Sequence, residues 1–286
     1  MVRYKVNAVM CVRRSNGRLT RTAGVIDAML NTELRTDLSD DILRRFEKVS
    51  LQSCTGALSY ITQQARNSKN GDTSTSWNNC YMKNVKPLTN GRKIAARART
   101  LSFIPPRADT AAVLRRGEDS PEFVAMESCG PGDVLVVDCN RMSQLGILGN
   151  MKTRRLWARG GTGLITDASV RDLDKIRDEY GLAVFGAGRS AITGLEGSSF
   201  HQVNVPIICD GVLVMPGDLI VADGDGVMVI PQQLAKQAID WIEEHDQVED
   251  FIARLVDEED CSPGRFYPPS EELRQRFRDE QAEKAK

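Results

Sequence analysis

Apolar residues recur at helical spacing between residues 40 and 65 (DDILRRFEKVSLQSCTGALSYITQQA). Ile42, Leu43, Phe46 and Val49 fall on one face, and Leu58, Ile61 and Thr62 follow in a second segment, so the pattern predicts helix, turn, helix. The polar stretch RNSKNGDTSTSWNN (66–79) reads as a loop. KIAARARTLSFI (93–104) then alternates, with Ile94, Ala96 and Ala98 set against Arg97 and Arg99, which predicts a strand. Its phase slips at the end, because Leu101 and Phe103 fall on the side of the arginines. Either a bulge near Thr100 or a strand covered on both faces at its end accounts for that. Pro105 and Pro106 stop the strand.

The centre carries the clearest pattern. PGDVLVVD (131–138) is a Pro-Gly-Asp turn feeding a continuous apolar run, and PGDLIVAD (216–223) repeats it. Runs of this kind suit strands buried on both faces. Between them lie a helical segment (148–160), a strand in TGLITD, a polar helix start (DLDKIRDEYG, 172–181) and a further strand, LAVFG (182–186). That order predicts parallel α/β construction. The stretch 232–260 places Leu234, Ala238, Trp241, Ile242, Val248, Phe251, Ile252 and Leu255 mainly on one helical face. A Pro-rich break (SPGRFYPPSEE) and a charged helix or tail (270–286) close the chain.

Composition narrows the class. The 286 residues are 41% hydrophobic and 27% charged, as in a globular protein. The net charge of −1 gives no global electrostatic case for nucleic acid or an anionic membrane, and no apolar run reaches the ~20 residues of a membrane span. Seven scattered cysteines without a CxxC read as free thiols of a reducing compartment, which places the protein in the cytoplasm. Six basic residues precede the first acid, Asp27, so a mitochondrial address is the alternative. Three parts result: a basic extension over 1–37, read as targeting or disordered; a main domain over 38–260; and a Pro-containing extension with a charged tail over 261–286.

Two places could carry chemistry. In LGILGN (145–150) two glycines flank two apolar residues just before a helix, where free main-chain N–H groups can hold an anion. The bland alternative is a tight turn. TDASVRD (166–172) ends a buried strand in Arg171 and Asp172. A guanidinium can grip a carboxylate through two parallel hydrogen bonds, and a neighbouring carboxylate can hold Mg²⁺. Equally, Asp172 could cap the helix that follows. DGDG (223–226) lacks the spacing of a calcium loop and reads as a hairpin turn. His201 and His245 have no matched partners, and no nucleophile elbow is present.

GDVLVVD, LGN, RGGTGLITDASVRD, NVPI and DGVLVMPGDLIVADGDGVMVIP, in this order, resemble the RraA-like family over roughly residues 40–270. That family holds the regulator of ribonuclease activity A and the class II 4-hydroxy-4-methyl-2-oxoglutarate aldolases. The resemblance implies an α/β fold, a β/β/α sandwich with a mixed, largely parallel central sheet and flanking helices. It also implies a homo-oligomer, trimer or hexamer, with sites between subunits. In the aldolases Mg²⁺ or Mn²⁺ is held by the Asp of an Arg-Asp pair, a role that falls here on Asp172. Arg171 would hold the carboxylate and keto oxygen of a 2-oxo acid, and the main-chain amides of Gly146, Ile147, Leu148, Gly149 and Asn150 would face that carboxylate. The expected chemistry is retro-aldol cleavage, oxaloacetate decarboxylation, or both, through a pyruvate enolate. The alternatives are a non-catalytic regulator of a ribonuclease-like partner and a lyase or hydratase acting on another hydroxy or oxo acid. The chain departs from the aldolase pattern at Asn150, where an acid precedes the Arg with twenty residues between them. It departs again at Ala168 and Ser169, where relatives carry Gly beside the Asp. Glu249, with Glu244 behind it, is the candidate acid contributed by a neighbouring subunit.

Overall fold

The structure is a computed structural model that describes residues 38–67, 76–89, 92–109, 117–193 and 199–284. The basic extension over 1–37 lies outside the described residues. Two helices open the described chain, α1 (Asp40–Phe46) and α2 (Leu51–Asn67). Short strands β1 (Tyr81–Met82) and β2 (Lys86–Pro87) lead to the long β3 (Ile94–Ile104). There follow α3 (Pro121–Ser128), β4 (Asp133–Asp138), β5 (Gly146–Ile147), α4 (Asn150–Ala158), β6 (Gly163–Thr166) and β7 (Ser169–Val170). A short α5 (Leu173–Lys175) runs into a π-helical turn (Ile176–Tyr180), then β8 (Ala183–Gly186) and β9 (Gly188–Arg189). The rest is β10 (Ser199–Val203), β11 (Ile207–Cys209), β12 (Val212–Val214), β13 (Leu219–Asp223), β14 (Gly226–Ile230), α6 (Ala235–Glu258) and α7 (Glu271–Lys284).

The main sheet has the order β1-β14-β13-β3-β4-β6-β8-β2, with β10 also paired to β3. Its four central strands β3, β4, β6 and β8 run parallel, and antiparallel strands flank them on both sides. The continuous apolar runs read from the sequence are accounted for by burial on both faces. In β4, Leu135 and Val137 join a cluster with Leu156, Ile176 and Met126, while Val134 and Val136 join one with Ile207, Cys209 and Val212. Helices thus cover one face and the β11–β12 hairpin the other. α1, α2 and α6 close the far end of the helical side over Leu219, Val221 and Ile230. DGDG forms the expected hairpin turn, with Asp223 paired to Gly226. Beyond the Pro-rich break, α7 packs Leu273 and Phe277 onto Phe251 and Leu255 of α6.

β3 resolves the slipped phase. Its pairing with β4 runs without interruption from Arg97↔Asp133 to Ser102↔Asp138, so there is no bulge at Thr100. Alternation is strict, and what changes along the strand is the cover on each face. Ala95 meets the α1–α2–α6 cluster, and Leu101 and Phe103 meet the α3–α4 cluster. Between the two, Arg97 donates to the Leu38 carbonyl at 2.9 and 2.8 Å, and Arg99 pairs with Asp133 at 3.0 Å. The bulge lies in the partner strand instead, at His201 of β10.

Candidate active site

Three central strands pass the chain to a second, smaller parallel sheet. β4 leads to β5, β6 to β7 and β8 to β9, and the small sheet has the order β5-β7-β9. The segments that leave it carry Gly149 and Asn150, Arg171 and Asp172, and Ser190. This is the carboxyl end of the parallel strands, where α/β folds bind their ligands.

A cleft of about 610 Å³ opens there, lined by Asn150, Arg171, Asp172, Lys175, Arg189 and Ser190 among others. Asp172 adopts a left-handed backbone, φ 55° and ψ 30°, which costs a non-glycine residue on the order of 1 kcal/mol. Its carboxylate does not cap its own helix. It turns to the start of α4, where Oδ2 accepts the Asn150 main-chain N–H at 2.9 Å. A charge-assisted bond at a helix N-terminus contributes about 1.5–3 kcal/mol and offsets that backbone cost.

Two glycines make room for the pair. A Cβ on Gly149 would lie 2.5 Å from Asp172 Oδ2. One on Gly146 would lie 2.3 Å from Arg171 Cγ and 2.6 Å from the Ser190 carbonyl oxygen. The glycines of LGILGN are therefore required by the close approach of Arg171 and Asp172, which the tight-turn reading does not explain.

Two of the five main-chain amides expected to face a ligand are engaged within the protein. The Gly146 N–H is taken by the Ile192 carbonyl at 2.9 Å, and that of Asn150 by Asp172. Gly146, Ile147, Leu148 and Gly149 instead line a second cavity of about 80 Å³ behind Arg171, with Lys152 and Glu122, which are ion-paired to each other. Arg171 lines both spaces. Glu249 lies on α6 and meets His245 Nε2 at 3.3 Å, and Glu244 pairs with Arg278 at 3.2 Å. The sequence reading overlooked Arg189 and Ser190, although they follow the third parallel strand as Arg171 follows the second. It also overlooked Tyr180, whose hydroxyl hydrogen-bonds Asn150 Oδ1; no short-range pattern points to it.

Among the described residues no cluster of three or more His, Cys, Asp or Glu side chains could hold a metal. The donor set at the cleft is one carboxylate with Oδ2 engaged on Asn150, since Asp174 is occupied by Arg177 at 3.0 Å and Arg189 at 3.1 Å. That set fits a hard, largely hydrated cation such as Mg²⁺ and not a dehydrated, protein-caged one.

A sequence profile of the RraA-like family, described as Aldolase/RraA, matches residues 22–229. The chain belongs to the RraA-like family. A putative 4-hydroxy-4-methyl-2-oxoglutarate aldolase of Halalkalibacterium halodurans is 32% identical over 148 residues, which cover 52% of this chain and 64% of that protein. The 4-hydroxy-4-methyl-2-oxoglutarate aldolase of Thermus thermophilus is 32% identical over 108 residues, 37% of this chain and 64% of its own. The chain thus spans less than two thirds of each of these relatives. Among solved structures, Streptomyces coelicolor RraAS2, described as an unusual member of the RNase ES inhibitor RraA family, superposes with a TM-score of 0.63 at 29% identity, covering 75% of this chain and 96% of that one. No helix of the described residues is long and apolar enough to cross a membrane.

Proposed function

We propose that this RraA-like protein is a divalent-cation-dependent carbon–carbon lyase acting on a 2-oxo acid, by retro-aldol cleavage, by oxaloacetate decarboxylation, or by both. One observation carries the reading. Arg171 and Asp172 stand together at a cleft on the carboxyl ends of the parallel strands, and Gly146 and Gly149 leave no spare volume beneath them. The names of the aldolase relatives support the same reaction class.

Arg171 binds the substrate carboxylate through its planar fork. Asp172 would hold Mg²⁺ or Mn²⁺ through the carboxylate oxygen that does not face α4. When bound, the cation supplies positive charge beside the keto oxygen, where charge develops as the C–C bond breaks. Asn150 fixes the Asp172 carboxylate through its main-chain N–H. As an amide it takes up no proton, so the base of an aldol cleavage is not residue 150 in this chain. Both lysines that line the two cavities are ion-paired, Lys175 with Glu179 at 3.6 Å and Lys152 with Glu122.

The test is pyruvate release from oxaloacetate and from 4-hydroxy-4-methyl-2-oxoglutarate by the purified full chain with Mg²⁺. Turnover lost on chelation and in Asp172→Ala is the expected result. No turnover on a panel of 2-oxo acids, together with no cation binding by calorimetry, overturns it. That outcome would favour the second reading, a non-catalytic regulator that binds a ribonuclease-like partner, which rests on the similarity to RraAS2.

A further inference from the structure

Asn150 and Trp157 lie seven residues apart on α4, two turns along one face. Tyr180 touches both. Its hydroxyl donates to Asn150 Oδ1, and its ring stacks on Trp157 with centroids 5.6 Å apart and planes at 29°. Tyr180 is the last residue of the π-helical turn Ile176–Tyr180, and Gly181, at φ 58°, then releases the chain into β8. Single π-helical turns recur at functional sites. Asn150 is therefore held at two atoms: the main-chain N–H by Asp172 and Oδ1 by Tyr180. Its Nδ2 has no protein partner among the described residues, and Asn150 lines the cleft beside Arg171.

We propose that Tyr180 is a positioning residue that locks the Asn150 amide with Oδ1 on the phenol, so that Nδ2 is offered to the cleft as a donor for an oxygen anion of the substrate. This rests on the 2-oxo-acid reading of the same cleft. An amide has one acceptor and two donors at opposite ends, so occupying the acceptor fixes which end the ligand meets. A carboxylate at this position would repel an incoming carboxylate and compete with Asp172 for the cation. The amide instead adds a second donor beside Arg171, and Asp172 keeps the cation-holding role alone. The ligands favoured are those with negative charge on adjacent oxygens, as in a 2-oxo carboxylate passing to its enolate. Trp157 holds the phenol ring in place.

The probe is oxalate, a planar mimic of that enolate, titrated by calorimetry at saturating Mg²⁺ into the full chain. Tyr180→Phe is expected to weaken oxalate binding about fivefold to tenfold, the size of one neutral hydrogen bond, with Mg²⁺ affinity unchanged. Asn150→Ala weakens it at least as much, and the double variant is no worse than Asn150→Ala because the phenol acts only through the amide. Asn150→Asp weakens oxalate binding at neutral pH, because an acceptor that repels the ligand replaces the amide donor. Tyr180→Phe binding oxalate like wild type, or two penalties that multiply in the double variant, overturns the proposal. Side-chain amide NMR of the ligand-free protein decides the geometry even if no 2-oxo acid binds. Tyr180→Phe should shift both Asn150 Nδ2 protons together. A shift of one proton alone makes the phenol the acceptor and overturns the proposed orientation. Wild type that binds neither Mg²⁺ nor oxalate overturns the 2-oxo-acid reading itself and the donor role with it, leaving the amide orientation to the NMR result.

Discussion

Gly149→Ala isolates the contact on which the site depends. The backbone there is ordinary, φ −66° and ψ −173°, so alanine introduces no conformational strain. By stiffening the unfolded chain it should even stabilise by about 0.4–1 kcal/mol. The new Cβ, however, falls 2.5 Å from Asp172 Oδ2, a separation that real Cβ atoms essentially never show. The carboxylate has to swing away, and its bond to the Asn150 N–H at 2.9 Å is lost. A hydrogen bond to a charged acceptor contributes about 1.5–3 kcal/mol, so the net destabilisation is roughly 1–2 kcal/mol. For a chain of this size each kcal/mol moves the unfolding midpoint by about 2–4 °C. Mg²⁺ affinity should fall at least tenfold, because the displaced oxygens belong to the carboxylate assigned to the cation.

The control is the same substitution in an Asp172→Ala background. With the carboxylate gone, the next atom is Arg171 Cβ at 3.4 Å, which is ordinary contact. Gly149→Ala should then lose the clash penalty and keep only the backbone gain set against the poorer N-cap preference of alanine. Thermal unfolding of the four proteins in the cycle reads the coupling directly. An equal penalty in both backgrounds refutes the claim that Gly149 is glycine because of Asp172, whatever reaction the site performs.

Arg171→Lys keeps the charge but loses the bidentate fork; 2-oxo-acid binding is expected to weaken at least tenfold while calorimetry finds Mg²⁺ affinity little changed, and equal loss of both would contradict the division of labour between Arg171 and Asp172. Asp167, raised in pKa mainly by burial, accepts main-chain N–H groups of Cys139, Arg141 and Asp210 at 2.7, 3.0 and 3.4 Å. Asp167→Ala leaves all three without that partner and should cost about 3 kcal/mol or more in denaturant unfolding; a loss under 1 kcal/mol would show that water replaces the carboxylate freely. Asp218 is pushed up to about 6 by burial, against the lowering effect of N–H bonds from Met215 and Gln232. The folded state therefore binds its proton more tightly than the unfolded state does, and this stability is full below pH ~4 and is lost as pH rises through ~6. Asp218→Asn should accordingly gain stability relative to wild type between pH 4 and pH 7 in thermal melts, and a flat difference across that range would contradict the assignment.

Much of the fold was legible because burial on both faces leaves a plain mark. PGDVLVVD and PGDLIVAD became β4 and β13, and the strand–helix–strand order of the middle became the parallel centre β4, β6 and β8. What the sequence could not decide was why β3 changes phase. A period of two tells which side a residue faces, and nothing about what covers that side. Arg97 and Arg99 alternate with the apolar positions, yet they span the gap between two helical clusters, where Arg97 meets the Leu38 carbonyl and Asp40, and Arg99 meets Asp133. The second sheet was also out of reach, since strands of two residues such as Gly146–Ile147 and Ser169–Val170 carry no period at all.

At the cleft the same limit applies in a different form. Arg171 and Asp172 were legible because a charged pair at the end of an apolar strand breaks the local pattern. The strand-end rule, applied once more, would have reached Arg189 and Ser190 after β8, because the chain repeats one construction three times: a buried parallel strand, a short step, a two-residue strand, then a loop at the cleft. Asn150 was legible only as a departure, an amide where an acid was expected. What gives the amide a role is Tyr180, thirty residues away, on a helical turn whose π winding no spacing rule foresees. Residues 150 and 180 therefore have to be read as one unit. The phenol fixes the Asn150 side-chain amide, the Asn150 main-chain N–H fixes the Asp172 carboxylate, and Gly149 leaves that carboxylate its space. An acid at position 150, with one oxygen on the Tyr180 phenol, would have offered an acceptor oxygen to the cleft, whereas this chain offers a donor. Its chemistry should therefore depend on how strongly it holds an oxyanion, and the proposed aldol cleavage would need a base other than residue 150.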